Sequence, residues 1–172
     1  YLLVGRWAAP ALLLPPVAIE LFAGNVNLWL AVVLVYALRH PALWAVPLLT
    51  KVAPGIGVAW HVLRGEWRAA AVAGAATAAV VAVSYALSPD AWAAWIALLR
   101  DNAGMAAPWN SIAVPFLPRL ALAGGVLIVA ARTDRAWLVP VATLLAMPVI
   151  WPATFVLLLA VPRLRVRPEG RG

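Results

Sequence analysis

Few side chains in this sequence are equipped for chemistry, and their placing narrows what that chemistry is. Lys51 is the one lysine in 172 residues, and it stands inside an apolar run just ahead of Pro54-Gly55. An ammonium at the tip of a helical hairpin, beside the unpaired N–H groups that open the second arm, is suited to holding an anion. A phosphate is the expected guest. The structural alternative is a lysine paired with Glu20 or with carbonyls of the broken helix. Glu20 lies about one turn before Gly24-Asn25-Val26-Asn27 and is the other ionisable group expected deep in an apolar run. It is a candidate substrate contact, base or metal ligand, set against ion pairing or interfacial solvation. Asn25 and Asn27 flank a glycine turn, where their amides either meet sugar hydroxyls or satisfy the turn's own backbone. His61, one turn before Arg64, reads as an interfacial residue and not as a catalyst.

The elements that carry these residues belong in a membrane. Hydrophobic residues make up 66% of the chain and charged ones 11%, with a mean hydropathy of +0.95. That composition excludes a water-soluble globule and a disordered chain. Absence of cysteine removes disulfides, thiol catalysis and iron–sulfur or cysteine–zinc sites, and two histidines alone build no metal centre, so neither metal nor cofactor is called for. The net charge of +7 does not point to nucleic acid, because the arginines fall between apolar runs, as they do in the loops of membrane proteins. The first residue is Tyr1, without a charged leader and cleavage site before the apolar run, so the chain is read as a piece of a longer protein.

A hydrocarbon core about 30 Å thick takes roughly 20 helical residues. Candidate spans are 7–22, 26–38, 41–63, 69–87, 115–131 and 136–161, and no internal repeat is strong enough to use. If Arg6 is cytoplasmic, positive-inside counting carries 24–27 to the outer face and returns Arg39-His40 to the cytoplasm. The blocks 41–63 and 136–161 have arginines at both ends, which favours two hairpins folded at Lys51–Gly57 and at Pro148–Pro152. Single proline-kinked spans are the alternative. Half-length arms end at membrane depth, which requires protein or a water-filled cavity to receive them. Ser88–Arg100 carries Trp92, Trp95, Ile96 and Leu99 on one face and reads as an interfacial helix. The expected fold is therefore all-α: a polytopic membrane helix bundle with two short re-entrant or broken-helix hairpins and an interfacial amphipathic helix. It forms one transmembrane domain over 1–172, with an external helix at 88–101 and a basic cytoplasmic tail at 163–172 drawn to anionic lipid.

Taken together, Gly24-Asn25-Val26-Asn27-Leu28-Trp29-Leu30, Leu48-Leu49-Thr50-Lys51-Val52-Ala53-Pro54-Gly55 and Arg64-Gly65-Glu66-Trp67-Arg68 resemble, in this order, the motifs of glycosyltransferase family 87. Trp109-Asn110-Ser111 and Met147-Pro148-Val149-Ile150-Trp151 resemble its outer-loop and final-hairpin motifs. Asn25 stands where that family commonly has Gln, Met147 where it has Ser, and Pro152-Ala153-Thr154 where many relatives carry His.

The resemblance implies the C-terminal portion of a GT-C-superfamily membrane core. It would move a hexose, mannose by the same resemblance, from a polyprenyl-phosphate donor to an envelope glycolipid or polysaccharide, with inversion, on the outer face. Lys51 would hold the donor's phosphate, and Glu20, Asn25, Asn27, Asn110, Ser111 and Trp151 would bind substrate. The catalytic Asp is expected upstream of Tyr1. From the residues alone a transporter or flippase-like protein stays open, since broken helices also build carrier sites, as does an inactive relative.

Overall fold

The computed structural model describes residues 2–51, 53–101, 112 and 114–165. Among these the chain forms α-helices and 3-10 turns and no strand. The expected span 7–22 is broken. α1 (Ala8–Ala11) ends and α2 (Pro15–Phe22) starts afresh, because Pro15-Pro16 lack N–H groups and hold the preceding Leu14 extended at ψ 127°. α3 (Asn27–Ala37) leaves α2 at 110°. It is the central helix, giving Leu34 and Ala37 to one apolar cluster and Leu30, Ala31 and Val35 to another.

The block 41–63 folds back on itself. A 3-10 turn (Pro41–Trp44) leads into α4 (Ala45–Thr50); the chain breaks at Lys51 and returns through a 3-10 turn (Ala53–Gly57) and α5 (Val58–Leu63). Gly57 faces the ring of Trp44 and Gly55 faces Leu48, so closely that a Cβ at either position would collide with those side chains. Glycine is thus what lets the two arms lie together.

After α6 (Trp67–Leu87), α7 (Pro89–Asp101) and α8 (Phe116–Arg132), the last block repeats that plan. A 3-10 turn (Ala136–Leu138) enters α9 (Val139–Ala146), which stops at Met147, held extended by Pro148. A long 3-10 stretch (Pro152–Leu159) then leads back through α10 (Ala160–Arg165). The guanidinium of Arg165 lies 4.2 Å from the ring centroid of Trp137, which closes the end of the block on its start. From α3 to α5 and from α8 to α10 the same order of elements therefore occurs twice. The sequence hides this because Lys51 stands at one break and Met147-Pro148 at the other.

Small residues let these short helices approach: Ala31, Ala37, Ala73, Ala123, Ala130 and Ala142 are fully buried. Among the described residues only α6 is by itself long and apolar enough to cross a membrane, and the bent pair α2–α3 passes the same test taken together. α6 buries only Ala73 and α7 buries no residue. Trp92 Nε1–H ties α7 to α6 through Ser84 Oγ at 3.2 Å, and Trp92 meets Trp95 edge-on. Phe22, Leu87 and Trp29 are 96%, 80% and 70% exposed, an outer surface suited to lipid or to further apolar partners.

Candidate functional site

Glycine shapes the turn after α2. Gly24 takes φ +61°, Asn25 N–H donates back to Glu20 C=O at 3.2 Å, and Gly24 N–H to Leu21 C=O at 3.3 Å. This is a Schellman closure, which ends the helix while satisfying its last carbonyls. It fixes Asn25 just outside α2 and lets Asn27 open α3 one turn later.

Four of the singled-out residues meet there. Lys51 Nζ donates to Asn27 Oδ1 at 2.8 Å and to Asn25 Oδ1 at 3.2 Å. Asn27 Nδ2 donates in turn to Glu20 Oε2 at 3.1 Å, and Leu28 N–H to Glu20 Oε1 at 3.1 Å. The amide of Asn27 is thereby oriented, with its oxygen toward the cation and its nitrogen toward the carboxylate. Glu20 and Asn27 are buried, at 1% and 0% exposure, whereas Lys51 and Asn25 are half-buried. Among the described residues no ion pair joins Lys51 directly to Glu20. An ammonium has three N–H groups, and two are spent on the asparagines. Among the described residues the third has no partner.

Two expectations change in detail. The arm after Lys51 opens with a five-residue 3-10 turn, so few aligned peptide dipoles reinforce the ammonium. For Glu20 the alternative of interfacial solvation falls away: it is enclosed, and both of its oxygens accept hydrogen bonds.

Trp151 lies half-buried on the turn between α9 and the 3-10 stretch. Its N–H donates to Thr154 Oγ1 at 3.1 Å, and Thr154 N–H returns to Trp151 C=O at 2.9 Å. Asn110 and Ser111 lie outside the described residues. Ile112 N–H donates to Ile150 C=O at 2.9 Å, which ties the chain just after Ser111 to the turn that carries Trp151.

That turn rests on a residue the sequence reading passed over. Arg119, in the first turn of α8 and 6% exposed, donates to the carbonyls of Val114, Leu145, Met147 and Pro148 at 2.7–3.1 Å. A helix C-terminus leaves carbonyls without partners, and a planar five-donor guanidinium suits a fan of them. The signal was present: an arginine in an otherwise apolar span is costly to bury without a purpose.

A second polar cluster sits at the other end of α3, whose 11 residues span about 16 Å. His61, read as interfacial, is 1% exposed. Trp44 Nε1–H donates to His61 Nε2 at 3.1 Å, so that nitrogen accepts, the ring proton is on Nδ1, and Nδ1–H donates to Glu66 at 2.7 Å. Arg64 Nε donates to Glu66 at 2.7 Å, and Arg64 Nη1 donates to Asp134. Gly65 (φ +71°) and Asp134 (φ +53°) close α5 and α8 with Schellman turns, from Glu66 N–H to His61 C=O and from Arg135 N–H to Ala130 C=O. Burial pushes the Glu66 carboxyl up, but the hydrogen bonds from Arg64 and His61 outweigh it and hold it below its ordinary value. Among the described residues no group of three His, Cys, Asp or Glu side chains gathers where it would hold a metal ion.

The model of glycosyltransferase family 87 matches residues 2–169, nearly the whole chain. The chain belongs to glycosyltransferase family 87. Comparison with curated proteins and with solved structures gave no match. Membership in family 87 makes this a membrane-associated glycosyltransferase, handling a sugar donor and an acceptor. Within this family-87 chain the stretches 24–30 and 48–55 meet in the Lys51 cluster, while 64–68 joins the cluster at the far end of α3.

Proposed function

We propose that this family-87 chain grips the phosphate of a polyprenyl-phosphate sugar, and that the full protein moves its hexose, mannose by resemblance, to an envelope glycolipid or polysaccharide. The observation that carries this is the Lys51 ammonium, steered by Asn25 and Asn27 and, among the described residues, with one N–H unpartnered. In such a transfer the bond from the sugar's anomeric carbon to the phosphate oxygen breaks as an acceptor oxygen bonds to that carbon from the opposite side. The acceptor loses its proton to a base, and negative charge builds on the departing polyprenyl phosphate. A fixed ammonium at that phosphate stabilises the charge as it develops. Glu20 and Asn27 set the position of Lys51, and Asn25 borders the open side of the cation. Trp151 belongs to the sugar-facing wall, and Asn110 and Ser111 are assigned to substrate binding by the motif resemblance alone.

In this reading the chain crosses the bilayer several times, and the Lys51 hairpin rises from the cytoplasmic face, its tip ending within the membrane in a cavity open to the outer side. The arginine-rich turns and the C-terminus are cytoplasmic. α7 lies in the outer interface with Trp92 and Trp95 at headgroup level. The test is Lys51→Ala in the full-length protein in detergent. Loss of donor binding and of transfer in a protein that still folds is expected, and normal transfer removes the phosphate role. Cysteines at Ala53 and Ile150 are expected to label from outside, and cysteines at Gly65 and Thr133 from the cytoplasm. Outside labelling at Gly65 overturns the topology.

A further inference from the structure

The cluster at the far end of α3 borders a cleft of about 300 Å³, at the small end of the range for ligand sites. Arg39, Arg64 and Arg163 converge on it from three separate parts of the chain, and Trp60 and Leu164 form an apolar side. The carboxylates that line it, Glu66 and Asp134, are both engaged by Arg64. Arg64 also lies over Trp60, 5.0 Å from the ring centroid, so it is held on three sides. Arg39 and Arg163 have no ion pair among the described residues, and both are exposed. The cleft thus presents one fixed and two uncommitted guanidinium forks against an apolar wall.

We propose that this cleft is an anion site for a phosphate group, with Arg39 and Arg163 donating to its oxygens, while Arg64, its charge met by Glu66 and Asp134, keeps those carboxylates from repelling the anion. Guanidinium forks match the oxygen spacing of a phosphate, and the neighbouring apolar side lowers the local dielectric and strengthens the contact. The phosphate is either that of an anionic lipid headgroup or free in solution, and the apolar side suits a headgroup with glycerol and acyl chain attached. About 16 Å of α3 separates the cleft from Lys51, so it is a different site from the proposed donor site.

The test is calorimetric titration of the full-length protein in neutral detergent with short-chain phosphatidylglycerol, with phosphatidylcholine of the same chain length, and with inorganic phosphate. Saturable binding of phosphatidylglycerol is expected, weakened roughly tenfold by Arg39→Ala and again by Arg163→Ala, the worth of one charge-assisted contact. Arg39→Lys, which keeps the charge and loses the fork, is expected to give a smaller loss. Arg100→Ala on α7 removes the same charge elsewhere and is expected to change nothing. Inorganic phosphate binding as tightly as the lipid, with the same losses, assigns the site to free phosphate. Binding of the lipid alone assigns it to a headgroup. Binding by neither, an equal loss in Arg100→Ala, or phosphatidylcholine binding that survives both substitutions overturns the site. Lys51→Ala is expected to leave this binding intact while abolishing sugar transfer, which keeps the two sites distinguishable.

Discussion

Lys51 reaches Glu20 only through Asn27: the asparagine's Oδ1 accepts from the lysine at 2.8 Å while its Nδ2 donates to the carboxylate at 3.1 Å. Among the described residues the cation therefore has no carboxylate at contact distance, yet it is anchored to a buried negative charge. A direct pair would satisfy both groups and leave less for an incoming anion. An amide spacer steers the ammonium and leaves its charge available.

Asn27→Ala breaks both bonds at once. A buried oxygen of Glu20 then loses its donor, a loss that costs on the order of 1–3 kcal/mol. The variant is expected to melt lower than the parent and to raise the donor's KM more than it lowers kcat, because the phosphate grip is loosened. Asn27→Asp is expected to be destabilised as well, since it sets a second carboxylate against Glu20. Thermal unfolding in detergent together with transfer kinetics separates the two effects. Parent-like behaviour of both variants removes the spacer role.

Gly57 faces the Trp44 ring with no room for a Cβ. Gly57→Ala must push Trp44 aside and break its bond to His61, at a cost of roughly 1–3 kcal/mol for overpacking. Gly74 lies within α6 with nothing near its Cβ position, so Gly74→Ala is expected to stabilise by about 0.5–1 kcal/mol. Opposite shifts in melting temperature are the expected result, and shifts of one sign would contradict the close approach of the hairpin arms.

Arg119→Lys keeps the charge but replaces a planar fork by a point ammonium that cannot reach all four carbonyls. Loss of about 3 kcal/mol is expected for Arg119→Ala and a substantial part of that for Arg119→Lys. Hydrogen exchange should quicken first at Ile112 and Ile150–Thr154, the turn that the guanidinium holds, before it quickens in α3. Unchanged exchange there would show that the turn stands without it.

The pH dependence follows from Glu66. Its folded pKa lies below the ordinary 4.5, so the stability it contributes is present above that value and is lost as pH falls through the folded pKa. The carboxylate is partly exposed, and solvent screens much of the effect. The melting-temperature gap between the parent and Glu66→Gln is therefore expected to be full at neutral pH and to close below pH 4.5. A gap that widens on acidification would reverse the assignment.

What the sequence determined on its own is whatever acts over a few residues or over bulk composition. The apolar runs required an all-α chain. Pro148 and Pro152 marked a break in its helices, and the arginines at both ends of 41–63 and 136–161 favoured blocks that fold back over single kinked spans. Lys51 stood out because a lone ammonium in an apolar run is costly, and the order of short motifs around it carried the family resemblance. Tertiary packing decided the partners. Lys51 and Asn27 are 24 residues apart, Arg119 and Met147 28, and Arg64 and Asp134 70. No local periodicity selects a partner at such distances, because hydrogen-bond energies depend on angstrom-scale approach that only the packed helices fix. The same reason explains why His61, placed by pattern at a surface, is instead enclosed between Trp44 and Glu66. It also explains why Glu20, a lone carboxylate in the sequence, became the buried anchor behind the cation.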